Sequence, residues 1–266
     1  MKRNLLPFLM LTLLTSCKDL FQYSPNEIRL EENEKNINQR NIERIKTLPV
    51  KDTFSFIVTG DSQRFYDELD EFVLTVNKRS DAEFVLLNGD ISDFGLNREF
   101  KWVNERFSKL NIPYIGVIGN HDMLGNGRKV YNQMFGAEDF TFHYGRNKFI
   151  CLNTNSEEVK YNGTLPNLSF LQRELVPESD TRNEFIVAHV PAVDHAFDQS
   201  LAPRYASLLA QGGKVRLSIH GHQSNFSYSE PFNDGIKYLV VCSVDKRCFV
   251  VVHVTGQTYT IENVSY

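Results

Sequence analysis

Five short apolar runs recur along the sequence, and each one ends in a residue type that can bind a metal ion. The residues at their carboxyl ends are Asp61, Asp90, Asn120-His121-Asp122, His189 and His220-Gly221-His222. Runs that are rich in β-branched and aromatic residues and bounded by Gly are typical of buried strands. In α/β proteins, functional side chains gather outside the carboxyl ends of the strands. The five endings therefore predict one polar site at the edge of an α/β sheet.

The rest of the chain fits this class of fold. Of its 266 residues, 41% are hydrophobic, which suits one large core or at most two small ones. Segments 67–78 and 98–110 have apolar residues at helical spacing, and their alternation with the apolar runs predicts a parallel sheet covered by helices. Short strands after His222 predict an antiparallel completion of a second sheet. A net charge of -4 gives no basic field, so no nucleic-acid partner is expected.

The amino terminus reads as a targeting segment. Lys2 and Arg3 precede a short apolar core that closes in Leu14-Thr15-Ser16-Cys17, an order that resembles a bacterial lipobox. We therefore expect a lipoprotein signal peptide over residues 1–17, with lipidation of Cys17 and a lipid anchor in the membrane. An ordinary secretory signal with an incidental Cys17 and a buried amino-terminal helix remain alternatives.

The lipobox sets the expected domain organisation and location. Residues 18–50 are polar and charged and are predicted to form a tether, with some helix around residues 37–45. Residues 51–266 are predicted to form the folded domain. We expect the protein to be lipid-anchored in the bacterial cell envelope, where it is either periplasmic or exposed at the surface.

Three cysteines remain after Cys17. Cys242 and Cys248 flank a five-residue stretch that is a plausible hairpin turn, so they could form a disulfide in an oxidising compartment. Two reduced, buried thiols are an equally valid interpretation. Cys151 lies in a strand-like run and is expected in the core.

Taken together, the endings resemble the motifs of the calcineurin-like metallophosphoesterase family over roughly residues 53–266. The matching motifs, in order, are Asp61-Ser62-Gln63, Gly89-Asp90-Ile91-Ser92-Asp93, Gly119-Asn120-His121-Asp122, His189 and Gly221-His222. The resemblance implies an α/β fold of the four-layer αββα sandwich type, with two metal ions at the strand ends. It also implies metal-dependent hydrolysis of a small-molecule phosphate ester, either a monoester or a diester, by a metal-bound hydroxide.

The resemblance also assigns roles to individual residues. Asp90 would bridge the two ions, and Asn120, His189 and His222 would complete one site with it, which suits Mn, Fe or Zn, whereas the other, oxygen-rich site suits Mg or Mn. His121 would be a catalytic residue that protonates the leaving oxygen. Substrate binding would fall to Asn120 and His121. The second catalytic residue would be Asp93, whose carboxylate would orient the His121 imidazole.

The other metal site departs from the family pattern. The family has Asp-x-His in its first motif, whereas this chain has Gln63 after Asp61. It has Gly-His-x-His in its last motif, whereas Ser224 replaces the final His here. Asp61 and Gln63 remain as oxygen ligands beside Asp90, so occupancy of this second site stays open. A catalytically weak or inactive metal-containing binding lipoprotein on the same scaffold is the alternative function.

Two further alternatives concern register and phosphate binding. His220-Gly221-His222 keeps a His-x-His spacing, so His220 could instead occupy one site and His222 the other. The family often has an Arg directly after the position of Asp93, where this chain has Phe94. Arg98 and Arg128 are then candidates for phosphate contact, with surface charge as the default interpretation.

Overall fold

A computed structural model describes Ser24 and residues 26–266 of the chain. The predicted signal peptide and Cys17 lie outside the described residues. The strands are β1 Thr53–Thr59, β2 Ala82–Asn88, β3 Tyr114–Val117, β4 Phe140–Tyr144, β5 Asn147–Leu152, β6 Asn183–Ala188, β7 Val215–His220, β8 Ser227–Ser229, β9 Lys237–Val240, β10 Cys248–Thr255 and β11 Thr258–Ser265. The helices are α1 Ile37–Thr47, α2 Tyr66–Val76, α3 Asn97–Phe107, α4 Gly127–Met134, α5 Leu168–Glu174 and α6 Ala202–Gln211.

The strands form two mixed sheets. The first sheet has the order β11-β10-β1-β2-β3, and the second has the order β4-β5-β6-β7-β9-β8. Strands β1, β2 and β3 are parallel, as are β5, β6, β7 and β9. The antiparallel pairs are β1 with β10, β10 with β11, β4 with β5 and β8 with β9. The chain after His222 was expected to complete one sheet. It instead divides between both sheets, because β9 extends the second sheet beside β7 and β10 pairs with β1 in the first.

Aromatic side chains fill the space between the two sheets. Phe56 and Phe84 of the first sheet stack at 5.5 Å, and both meet Phe149 of the second sheet edge-on. Apolar faces of α2, α3 and α4 cover the outer side of the first sheet, and α5 and α6 cover the second. Alternating side chains of a strand point to opposite faces, so both faces of each sheet can be buried in this way. The resulting order of layers is helix, sheet, sheet, helix.

Part of the segment predicted as a tether is packed against the domain. Helix α1 buries Ile37 among residues of the outer core and Ile45 between the sheets. The Asn38 side chain bonds both backbone groups of Gly116 on β3, at 2.9 Å to its N–H and 2.8 Å to its C=O. The folded unit therefore includes residues before 51, and the predicted tether over 18–50 is too long. Buried isoleucines and a paired buried amide explain why this stretch packs rather than remaining solvated.

Two of the cysteines are joined. Cys242 and Cys248 form a disulfide with a Cα–Cα distance of 6.1 Å, so the alternative of two reduced thiols does not apply in this structure. Cys151 is a free, buried thiol on β5, as expected. Within the described part of the chain, none of the helices has both the length and the apolar character needed to cross a bilayer.

Glu184 on β6 provides a test of how burial couples to stability. Its side chain is 1% exposed, and neither carboxyl oxygen has a hydrogen-bond partner among the described residues. Burial raises the pKa of Glu184 to about 7, although Lys148 on the neighbouring strand opposes the shift. The folded protein then holds a proton that the unfolded chain has released, so stability falls as pH rises from about 4 through 7.

We expect Glu184→Gln to remove this loss. The free energy of unfolding of the variant, relative to the wild type, should rise by about 2 kcal/mol between pH 5 and pH 8. Chemical denaturation at the two pH values measures the difference. Glu71→Gln is the control, because Arg247 lowers the pKa of Glu71 and no gain should occur over this interval. Parallel pH profiles of Glu184→Gln and the wild type would contradict the prediction.

Candidate metal centre

The side chains predicted to form a site meet at one edge of the two sheets. Asp61, Asp90 and Asn120 follow β1, β2 and β3, which are parallel strands of the first sheet. His189 and His222 follow β6 and β7, which are parallel strands of the second. Because parallel strands end at the same edge, the residues that follow them lie together.

Four of these side chains converge on a common centre. Asn120 Oδ1 lies 3.1 Å from His189 Nε2 and 3.0 Å from His222 Nδ1, and Asp90 Oδ2 lies 3.3 Å from His189 Nε2. The ligating atoms of Asp90, His189 and His222 all lie within 4.8 Å of one another. Two imidazole nitrogens with a carboxylate and an amide oxygen are donors that Zn, Fe and Mn accept. The residues present therefore fit a divalent ion.

The proton position on His189 supports this fit. Its Nδ1 donates to the C=O of Asn88 at 2.8 Å, so in the neutral imidazole Nε2 presents a lone pair towards the Asn120 oxygen. Two acceptors that face each other require a cation or a proton between them. Burial by itself lowers the pKa of His189, but the Asp90 carboxylate outweighs it and raises the pKa to about 10. In the absence of a metal ion, the buried carboxylates therefore keep a proton on His189 Nε2, the same nitrogen that would bind the ion.

His222 has a partner behind it that the sequence did not reveal. Its Nε2 lies 3.5 Å from Asp194 Oδ1, while its Nδ1 faces the common centre. Burial would raise the pKa of Asp194, yet bonds from the Ala196 N–H and the Gln223 amide hold the pKa below its usual value. A carboxylate beside Nε2 favours a proton on that nitrogen, which leaves Nδ1 with a lone pair for a metal ion.

The oxygen ligands expected at the second position also lie beside Asp90. Asp61 Oδ2 accepts the backbone N–H of His222 at 3.1 Å, and burial raises the pKa of Asp61 to about 7. The Gln63 amide nitrogen lies 3.5 Å from Asp90 Oδ2, and its buried Oε1 has no hydrogen-bond partner among the described residues. Ser224 uses its C=O to accept the Ser243 N–H at 3.1 Å. This position therefore gathers oxygen atoms without an imidazole.

Three of the gathered residues have left-handed backbones. The φ angles are +52° at Asp61, +51° at Asp90 and +72° at His222. Non-Gly residues rarely adopt this region, and each such residue costs on the order of 1–3 kcal/mol. Local strain at several members of one cluster is typical of functional sites, where the surrounding structure enforces it.

His121 is oriented differently from the prediction. Its Nδ1 donates to the backbone C=O of Asp93 at 2.8 Å, whereas the nearer carboxylate oxygen of Asp93 is 3.7 Å away. That oxygen pairs with the Arg64 guanidinium at 2.5 Å. The expectation that the Asp93 carboxylate orients the imidazole is therefore corrected: the carbonyl does so, because Arg64 occupies the carboxylate.

Asp122 joins the two loops that carry Asp90 and Asn120. This fully buried carboxylate accepts the backbone N–H groups of Gly119, Ile91 and Ser92 at 2.8, 3.1 and 2.7 Å. Burial, with the neighbouring Asp90 charge, raises the pKa of Asp122 to about 6. Asp122 thus holds the loops after β2 and β3 in register with each other.

The remaining sequence candidates lie in other environments. His220 is fully buried, bonds Ser218 Oγ at 2.8 Å, and has a pKa lowered by burial to about 3, so the register alternative is wrong. Arg98 lies over the Trp102 ring, and Arg128 makes two bonds to Glu138. Sequence reasoning missed Asp194 and Arg64. Arg64 had a detectable signal, because it directly follows Gln63.

Comparisons with known proteins place this geometry in a family. Residues 54–226 match the sequence profile described as "Calcineurin-like phosphoesterase". A probable glycerophosphodiester phosphodiesterase, GpdQ, from Arcobacter nitrofigilis is 25% identical over 163 residues, which cover 55% of this chain and 58% of that protein. The chain thus spans little more than half the length of this relative.

Solved structures share the architecture. A dimetal phosphatase from Danio rerio, LOC 393393, superposes with a TM-score of 0.62 at 15% identity, over 80% of this chain and 99% of the other. The purple acid phosphatase PPD1 from yellow lupin (Lupinus luteus) seeds gives a TM-score of 0.64 at 13% identity, over 80% of this chain and 51% of the phosphatase. At these identities the likeness concerns the fold, and the prediction of an α/β fold with two sheets flanked by helices is confirmed.

The contact between Asp194 and His222 generates a prediction. We expect Asp194→Asn to weaken divalent metal binding about 10- to 100-fold, because the amide no longer stabilises the His222 N–H that faces it. Titration calorimetry with Mn²⁺ measures the affinity. Asp198→Asn is the matched control, since Asp198 lies in the same loop but bonds Ser200. Equal Mn²⁺ affinities of Asp194→Asn and wild type would show that the Asp194 carboxylate does not support His222 in binding the metal.

Proposed function

Because the chain belongs to the calcineurin-like phosphoesterase family, we propose that it is a metal-dependent phosphoric ester hydrolase acting on a small-molecule phosphate ester. The observation that carries the proposal is the convergence of Asp90, Asn120, His189 and His222 on one centre. In this proposal these four side chains hold a divalent ion, with Mn, Fe, Zn or Mg as candidates. When bound, such an ion acidifies water and withdraws charge from phosphoryl oxygens.

The protein residues divide the remaining work. Asp61 and Gln63 offer a second, oxygen-rich position beside Asp90 that binds Mg or Mn weakly. In this proposal Asn120 and His121 bind the phosphoryl group of the substrate. The Asp93 carbonyl holds the Nδ1–H of His121, so a second proton on Nε2 is the one available to the leaving oxygen. His121 is 32% exposed, which leaves that nitrogen within reach of a substrate.

The substrate is a phosphate monoester or diester. The relative from Arcobacter nitrofigilis carries the name of a diesterase, which supports the diester. Phe94 stands directly after Asp93, so the chain has no guanidinium at that position, where an Arg would favour a dianionic monoester.

A binding protein that carries a metal but does not turn substrate over is the second candidate. Gln63 and Ser224 favour it, because both replace expected imidazoles at the same position. The held imidazole of His121 favours the hydrolase, since a binding protein gains nothing from a proton donor at the leaving oxygen.

The hydrolase proposal makes a kinetic prediction. With Mn²⁺ or Mg²⁺ the protein should hydrolyse nitrophenyl phosphodiesters or monoesters, and His121→Ala should lower kcat about 10²- to 10⁴-fold at unchanged metal content. His222→Ala should lose the metal as well. His143→Ala on β4 is the control and should leave kcat unaltered. A wild type that binds metal fully yet turns over no ester with any divalent ion would favour the binding protein.

We further propose that the protein is anchored by lipid at Cys17 in the bacterial cell envelope, facing the periplasm or the surface. The lipobox pattern of residues 14–17 supports this location. Cys17→Ser should move the protein from the membrane fraction to the soluble fraction and should abolish incorporation of labelled fatty acid. An unlabelled wild type would exclude the anchor and leave an ordinary secretory signal or a buried amino-terminal helix.

A further inference from the structure

Arg64 follows Gln63 on the turn that also carries Asp61, and the Gln63 amide nitrogen lies 3.5 Å from Asp90 Oδ2 of the metal centre. Its Nη2 is 2.5 Å from Asp93 Oδ1, and the same oxygen is 3.7 Å from the His121 Nδ1. The carboxylate of Asp93 therefore lies between the Arg64 guanidinium and the His121 imidazole, the proton donor of the proposed function. The Arg64 side chain is 58% exposed, so the guanidinium is open to a ligand.

Stability alone does not account for this arrangement. Ion pairs with an exposed partner contribute little to folding. Arg64 also has a left-handed backbone, with φ at +58°, which is unfavourable for a residue that carries a Cβ. A strained backbone that brings an exposed cation to the buried Asp93 carboxylate, next to His121, is better explained by a requirement at the site.

We propose that Arg64 binds the non-bridging oxygens of the substrate phosphoryl group and that Asp93 holds its guanidinium in place. A guanidinium has five N–H donors, and the bond through Nη2 leaves others for a phosphoryl oxygen. The proposal rests on the proposed function, because it assumes that a phosphoryl group occupies the centre. It gives the turn after β1 a role in substrate binding in addition to its carboxylate and amide oxygens.

The expected effect depends on the charge of the ligand. A phosphomonoester or inorganic phosphate carries up to two negative charges, whereas a phosphodiester carries one. Arg64→Ala should therefore raise KM for a nitrophenyl monoester more than for a nitrophenyl diester. Loss of a hydrogen bond to a charged group corresponds to about 10- to 100-fold weaker binding.

Binding of inorganic phosphate to the Mn²⁺-loaded protein tests the proposal without turnover. Calorimetry should show about 10- to 100-fold weaker binding to Arg64→Ala at unchanged metal content. Arg64→Lys should recover part of the affinity, because the charge remains while the forked geometry is lost. Arg182→Ala is the matched control, since Arg182 also pairs with a carboxylate, Asp52, but at the amino-terminal end of β1. It should bind phosphate like the wild type.

Two results would overturn the proposal. One is wild-type phosphate affinity in Arg64→Ala. The other is an Arg64→Lys variant that binds phosphate as weakly as Arg64→Ala while both unfold at a lower temperature, because Arg64 would then only brace Asp93. The outcomes separate from those of the proposed function. A wild type without turnover contradicts the hydrolase, whereas turnover with unchanged phosphate affinity in Arg64→Ala contradicts only the role of Arg64.

Discussion

The buried carboxylate of Asp90 is the constraint on which the site depends. Its Oδ1 accepts the backbone N–H of His121 at 3.0 Å, and its Oδ2 faces the imidazole of His189 from the other sheet. Its backbone C=O accepts the N–H groups of Ser62 and Gln63 at 3.0 and 3.1 Å. One residue thereby contacts the loops after β1 and β3 and the second sheet. Its buried negative charge is costly unless a cation or a protonated imidazole offsets it.

The meeting of the four site residues could be predicted from the sequence for a simple reason. Parallel strands end at a common edge, so ligand-type residues after successive apolar runs are expected to meet, as Asp90, Asn120, His189 and His222 do. The residues that support them were harder to predict. Asp194 approaches His222 across two loops, and Arg64 reaches Asp93 from a left-handed turn, so neither contact follows from periodicity.

Other features of the fold and of the site could not be predicted from the sequence pattern. Alternating apolar residues predict strands after residue 222, but they do not say which sheet edge each strand will join, and the chain divides them between both sheets. Helix was predicted around residues 37–45, but the polar composition of residues 18–50 did not indicate that Ile37 and Ile45 pack against distant strands. At Asp93 the sequence suggested the correct residue for His121 but the wrong acceptor atom, since only the structure places Arg64 on the carboxylate.

The distribution of the four converging side chains between the sheets has a thermodynamic consequence. Asp90 and Asn120 extend from the first sheet, and His189 and His222 extend from the second. An ion held by all four would bind only when the aromatic interface between the sheets is closed. Ion occupancy and closure of that interface are then linked equilibria, in which each favours the other by the same free energy. Availability of the ion would thereby set how tightly the two halves of the protein are held together.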